Sequence, residues 1–326
     1  MSIRLPQAPE IRTAVLALAL ALAACNGEDS PLSPESPESP APTPAAVEPI
    51  GATADLVSLS GILFQSSRTG GGDIYRMAPD GTGAVRVTSF SGGEYYPVWS
   101  WDHQRIAMVR NRLDAANVSH LDIYLMNADG SGKHWARSVP SAFDIFSPSW
   151  SKDGKRLAVT VTYGGEDRLA LMDVATGNAA FVNTAIPGPI GTGAHFDPSG
   201  TRLVYAGKYA DTLHLINTDG TGHKIFFGKN NVANPNFSPD GKKVAFGYAA
   251  PGEMAQIYVK TLADGTVKRV TAGGGFVPTW SPGGSKIAFV SSRTGKNQIF
   301  VVPSGGGTET RITNNSYVEY APSWAH

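Results

Sequence analysis

The chain has one cysteine, Cys25, in 326 residues. A lone thiol forms no internal disulfide, so the folded part is held together without crosslinks. Neither sign of charge is in excess: 27 Lys and Arg face 27 Asp and Glu. That balance gives no electrostatic reason to expect nucleic acid as a partner. Long apolar runs are scarce, and the main one, Thr13–Ala24, is too brief for a comfortable membrane span. No G-x-S-x-G, H-E-x-x-H, Walker-type loop or Cys metal cluster occurs. The usual marks of a serine hydrolase, a zinc protease or a nucleotide-binding enzyme are therefore missing. No catalytic residue, metal site or cofactor is assigned.

What is present begins with a processing signal. Arg4 and Arg12 form a basic lead, the short apolar run follows, and "LAAC" (Leu22–Cys25) comes directly after. This resembles the lipobox of bacterial lipoproteins, in which the Cys is lipidated and becomes the new N-terminus. The alternative is an ordinary secretory signal that contains a Cys. We expect a signal at 1–24, then a tether at 25–58 starting with lipidated Cys25, then a folded domain at 59–326. The tether ("NGEDSPLSPESPESPAPTPAAVEP") is rich in Pro, Ser and Glu. It has too little apolar surface to offset the entropy of ordering.

From about residue 60 three phrases recur in fixed order. The first is an aromatic followed by a turn: "PVWSWDHQRIAM", "PSWSKDGKRLAV", "AHFDPSGTRLVY", "PNFSPDGKKVAF" and "PTWSPGGSKIAF", with a sixth start, "PSWAH", at the end. Its anchors are Trp99, Trp150, Phe196, Phe237, Trp280 and Trp324, spaced by 51, 46, 41, 43 and 44. The second phrase is an alternating strand and turn, as in "IYRMAPDG" and "LHLINTDG"; the third is a short closing strand such as "VRVT". Asp and Gly at fixed offsets between apolar runs mark hairpin turns. One four-stranded unit of this length cannot bury both its faces, but units packed around an axis bury one another. The fold class expected is therefore all-β, a six-bladed β-propeller. The first unit lacks its first strand and the last supplies only that strand. Pairing of the C-terminal strand with the N-terminal one should close the ring.

"W-S-x-D-G-x-x-I-A-F" followed by "S-x-R-x-G-x-x-x-I-Y-x-M" resembles the repeat of the TolB-type propellers, over Gly61–His326. The resemblance implies a six-bladed propeller of the bacterial envelope that binds protein partners. TolB has a small α/β domain ahead of its propeller; this chain has the tether there. The Gly-His and Trp-Asp pairs of WD-repeat propellers do not recur.

Candidate site residues lie on the loop side, where the chain enters each inner strand and joins the second strand to the third. The entry loops "GGEYYP", "SAFDIFSP", "GGGFVP" and "NSYVEYAP" place Tyr95, Phe146, Phe276 and Tyr320 four residues before an anchor, with Tyr96, Glu94, Asp144 and Glu319 nearby. These form either an aromatic, acidic site for a peptide or sugar or caps on the cores between blades. His195, beside Phe196, faces the central channel or is a satisfied core histidine. "SSRTG" occurs at Ser66–Gly70 and at Ser291–Gly295. Ring closure should bring Arg68 and Arg293 onto adjacent blades beside Glu94 and Glu319. The "NADGSG" and "NTDGTG" turns lack a closing Glu and read as plain hairpins, not calcium loops. The leading expectation is a monomeric, non-enzymatic binding lipoprotein, held at the membrane by its lipid and engaging an envelope protein or peptide through this face. The alternative is a carbohydrate-active propeller such as a polyuronate lyase, which would need metal ligands gathered at the channel.

Overall fold

The computed structural model describes residues 61–90, 92–114, 116–137, 143–163, 165–182, 193–207 and 212–325. The expected signal, Cys25 and the tether lie outside the described residues. The rest is six four-stranded antiparallel sheets. Blade I joins β1 (Ile62–Ser66), β2 (Asp73–Met77) and β3 (Val85–Arg86) to the last strand of the chain. Blade II is β4 (Glu94–Trp99), β5 (Arg105–Leu113), β6 (Ser119–Asn127) and β7 (His134–Trp135). Blade III is β8 (Ile145–Trp150), β9 (Arg156–Tyr163), β10 (Glu166–Asp173) and β11 (Ala179–Phe181). Blade IV is β12 (His195–Phe196), β13 (Arg202–Ala206), β14 (Leu213–Asn217) and β15 (Lys224–Phe227). Blade V is β16 (Val232–Phe237), β17 (Lys243–Tyr248), β18 (Gln256–Thr261) and β19 (Val267–Arg269). Blade VI is β20 (Phe276–Trp280), β21 (Lys286–Ser291), β22 (Gln298–Pro303) and β23 (Thr310–Arg311). β24 (Glu319–Trp324) then closes blade I, with Ile62 opposite Trp324 and Ser66 opposite Glu319.

The hairpin turns explain why the units fold locally. In "S-x-D-G" the Ser hydroxyl donates to the Asp carboxylate and accepts the amide that opens the next strand. In blade III these bonds are Ser151 to Asp153 at 2.6 Å and Arg156 N to Ser151 at 2.9 Å. Gly154 sits at φ 66°, which costs a glycine nothing. Blade II has His103 at that position, at φ 57°.

Each strand pair feeds two cores. Along β1, Leu63 joins Trp99, Ile106 and Met108 of blade II, while Ile62 and Phe64 join Ala288 and Ile299 of blade VI. The same sharing recurs at the other four junctions, and each anchor aromatic sits in the core against the preceding blade. The Trp indoles also donate across that junction, Trp99 to the Gly61 carbonyl at 3.2 Å and Trp280 to the Asn236 carbonyl at 2.9 Å. The outermost strands are only two to four residues long. Short edges limit pairing with other chains.

A bulge recurs in the inner strands. Pairing shifts register between Tyr95 and Val98, Phe146 and Ser149, Ala233 and Asn236, and Phe276 and Thr279. The residue three before each anchor has positive φ: Tyr96 50°, Ser147 54°, Gly193 82°, Asn234 51°, Val277 51° and Ala321 47°. An extra residue in that conformation bends the strand at the mouth of the channel.

Candidate functional site

The loop face carries the joins between second and third strands and the entries to the inner strands. Two of its acids are not on the surface. Glu94 and Glu319 are both fully buried. Glu319 accepts from Arg68 Nη2 at 3.0 Å and from Asn315 Nδ2 at 2.8 Å. Glu94 accepts the Thr88 hydroxyl at 2.9 Å and lies 3.6 Å from Arg110 Nε. Burial outweighs these partners and pushes the Glu94 carboxyl up to about 7, helped by Asp73 across the junction. Burial also raises the Glu319 carboxyl, against Ser66, Arg68 and Asn315.

Two further pairs complete the cluster in blades I and II. Arg86 meets Asp73 at 2.8 Å, and Arg112 meets Asp122 at 3.6 Å. The arginines lie over aromatic rings, Arg68 over Tyr75 at 4.8 Å, Arg110 over Phe90 at 3.8 Å and Arg112 over Trp135 at 4.8 Å. Such stacking favours a planar guanidinium over an ammonium.

The expected aromatics are gathered, but mostly inward. Phe146 and Tyr320 are buried, and Tyr95 and Phe276 are half-buried. Tyr95 and Phe146 pack in the core between blades II and III. Tyr96, Phe276 and Tyr320 meet at the axis, with ring centroids 6.1 Å apart for Tyr96–Tyr320 and 5.9 Å for Phe276–Tyr320. Burial pushes the Tyr96 phenol up to about 12 and raises that of Tyr320. Asp144 is more open; it accepts the Leu121 amide at 2.9 Å and lies 3.6 Å from His120.

The TolB beta propeller domain matches residues 115–277 and 212–326. The chain belongs to the TolB β-propeller family. An uncharacterized protein of Agrobacterium fabrum is 32% identical over 195 residues, covering 56% of this chain and 62% of that one. The Tol-Pal system protein TolB of Francisella tularensis subsp. mediasiatica is 29% identical over 261 residues, covering 63% and 59%. The chain thus spans about 60% of the length of these relatives. Among solved structures, TolB from Acinetobacter baumannii superposes with a TM-score of 0.71 at 19% identity, over 82% of this chain and 67% of that one. An oligogalacturonate lyase in complex with manganese gives 0.55 at 15% identity, over 79% and 75%. Both likenesses show the fold.

Within this TolB-type ring, Arg68 and Arg293 do lie on adjacent blades, I and VI. They keep different partners. Arg293 donates to the Gly274 carbonyl at 2.7 Å and to Ser291 Oγ at 2.8 Å, and pairs with Glu309 rather than Glu319. Arg112 is the blade II counterpart of both, because Arg110–Asp122 and Ser66–Asp73 are equivalent register pairs. Sequence reasoning missed Arg110, Arg112, Asp73 and Asp122; the "VRNR" run at the position of "SSR" was the available signal.

His195 does reach the axial pocket, a space of about 60 Å³ ringed by the residue before each anchor: Val98, Ser149, His195, Asn236, Thr279 and Ser323. Its Nδ1 lies 2.8 Å from the Phe196 carbonyl, and burial pushes the ring down to about 4, which keeps it neutral. Three hydroxyls of the ring accept the anchor amide of the following blade, Ser149 from Phe196, Thr279 from Trp324 and Ser323 from Trp99. Among the described residues no three His, Cys, Asp or Glu side chains gather as a metal site.

Proposed function

We propose that the protein is a lipid-anchored propeller of the bacterial envelope that binds a protein partner through its loop face. The supporting observation is where the exposed apolar side chains fall. Among the described residues, apart from those on the outermost strands, they are Leu113, Val118, Met254 and Tyr317, all on the loop face. Leu113 and Val118 flank the tip of β5–β6, whose strands of nine residues are the longest in the ring. Exposed apolar and aromatic groups on protruding loops suit a protein interface. The TolB relatives support the envelope setting.

The positions of Gly61 and Ala325 fit the same reading. Ile62 pairs with Trp324 at the end of β24, and Ala325 N donates to the Gly61 carbonyl at 3.1 Å. The chain therefore enters and leaves on the turn face.

The test is photocrosslinking in intact cells from positions 118 and 317. Capture of one common partner from both, absent from a probe on the outer strand at Ile225, is the expected result. Capture from none of the loop-face positions sinks the proposal. The lyase reading has the fold likeness to oligogalacturonate lyase and the channel position of His195 in its favour. Release of unsaturated uronates from polygalacturonate by the purified protein would carry it.

A further inference from the structure

The turn face, opposite the loop face, holds a cavity of its own. A cleft of about 310 Å³ lies between the "S-x-D-G" turns of blades III and IV, and its walls include Lys152, Asp153, Arg156, Ser199 and Gly200. Arg156 donates to the Gly200 carbonyl at 3.0 Å and lies over the Phe196 ring at 5.6 Å. This leaves the rest of its guanidinium along the cleft.

The sequence of turn IV changes the charge of this wall. Turns II, III and V run Ser-x-Asp, with the acid at the third position: Asp102, Asp153 and Asp240. Turn IV reverses the order, with Asp197 first and Ser199 third. Asp197 is buried, and it accepts from the Arg202 amide at 3.0 Å, Arg202 Nε at 3.0 Å and the Ser199 hydroxyl at 2.7 Å. The swap turns the acid inward against Arg202 and leaves a neutral hydroxyl on the rim. Asp153, the acid on the facing turn, is already held by the Ser151 hydroxyl and the Lys155 amide at 3.0 Å. Lys152 and Arg156 therefore face a cleft whose far wall carries no carboxylate and whose near wall holds Asp153, engaged through one oxygen.

A second departure from the repeat lies beside it. Turn II carries Trp101 where turns III, IV and V have Lys152, Pro198 and Pro239. Trp101 is half-buried, donates to the Trp150 carbonyl at 3.3 Å and edges the axial pocket. The Lys152 ammonium lies 5.6 Å from its ring centre. Lys152 thus joins the indole to the cleft. Two cations, the Ser199 hydroxyl and an indole beside Lys152 suit a ligand with an acidic group, hydroxyls and one apolar face.

We infer that the cleft between turns III and IV binds an acidic sugar, its carboxylate or phosphate held by Lys152 and Arg156 and its ring set against Trp101. The site is independent of the loop face and of any partner there.

Calorimetric titration of the full chain with galacturonate, glucose 1-phosphate, galactose and inorganic phosphate tests this. Saturable binding of at least one acidic sugar, with galactose at least about tenfold weaker, is expected. Preference between the two acidic sugars identifies the acid. The double swap Asp197→Ser with Ser199→Asp rewrites turn IV in the order of its neighbours, and a retained melting temperature shows that it folds. It should weaken the acidic sugar at least about tenfold. Trp101→Leu should weaken the sugar but not inorganic phosphate. No saturable binding, or binding untouched by the double swap, overturns the site. Inorganic phosphate binding as well as either sugar, with no effect of Trp101→Leu, reduces it to a bare anion site and overturns the sugar.

Discussion

Arg68 and Glu319 stand 3.0 Å apart at the seam of the ring, although 251 residues separate them in the chain. The carboxylate is fully buried and the guanidinium mostly so. The contact exists only when β24 pairs with β1, so it reports ring closure. Removing the cation leaves a buried charge without its partner, which typically costs about 3 kcal/mol. Arg68→Met should destabilise the protein by about that amount, and adding Glu319→Gln should recover part of it. A double-mutant cycle by urea denaturation measures the coupling; strictly additive losses would refute it.

Trp324 secures the same seam through packing. It is 5% exposed, in the core between blades VI and I. Trp324→Ala should cost about 3–5 kcal/mol. Deletion of residues 319–326 should cost more, because it also strips β1 of its partner strand. Circular dichroism melts of both variants check the order.

Glu94 makes stability depend on pH. Its carboxyl is raised from its ordinary 4.5 to about 7 in the fold. The folded state therefore holds a proton that the unfolded state releases between those values. Its contribution is fully present below pH 4.5 and is lost as pH rises through about 7. Glu94→Gln should flatten that decline between pH 5 and 8. Glu319 and Asp122 are raised too and leave a residual slope. Denaturation at several pH values is the measurement, and an unchanged slope in the variant would count against the assignment.

His103 occupies a left-handed position, φ 57°, that is glycine in the other described turns of its kind. Its ring lies edge-on to Trp99, with centroids 6.4 Å apart. His103→Gly should leave the fold intact and change stability by less than about 1 kcal/mol, toward stabilisation. A loss well above that in a thermal melt would show that the imidazole holds the turn.

Three of the aromatic candidates are built into the cores. Tyr95, Phe146 and Tyr320 pack in or against buried clusters, so their joint replacement by Ala should unfold the protein instead of selectively removing binding. By contrast Leu113→Ser with Val118→Ser should keep the melting temperature and reduce partner capture. Proteolysis and crosslinking yield, run side by side, separate the two effects.

The repeat determined the fold by itself. Turn residues at fixed offsets, anchors at near-constant spacing and a unit too small to bury both faces leave little but a closed ring, and the split of blade I between the two ends marks where it closes. The likeness of the two SSRTG segments follows from the same repeat. What tertiary structure alone decided is which loop residues face outward. The bulge at Tyr96, Ser147, Gly193, Asn234, Val277 and Ala321 turns the strand by one residue, and only Gly193 and Asn234 are of types that favour positive φ. The sequence left Tyr95 and Phe146 open between a surface site and caps on the cores, and the register after the bulge packs both against the core between blades II and III. Whether Glu94 and Glu319 are open or covered depended on arginines brought from other strands of the same blade. Those contacts arise only after the register is set, because a side chain's neighbours across a sheet are fixed by pairing and not by its place in the chain.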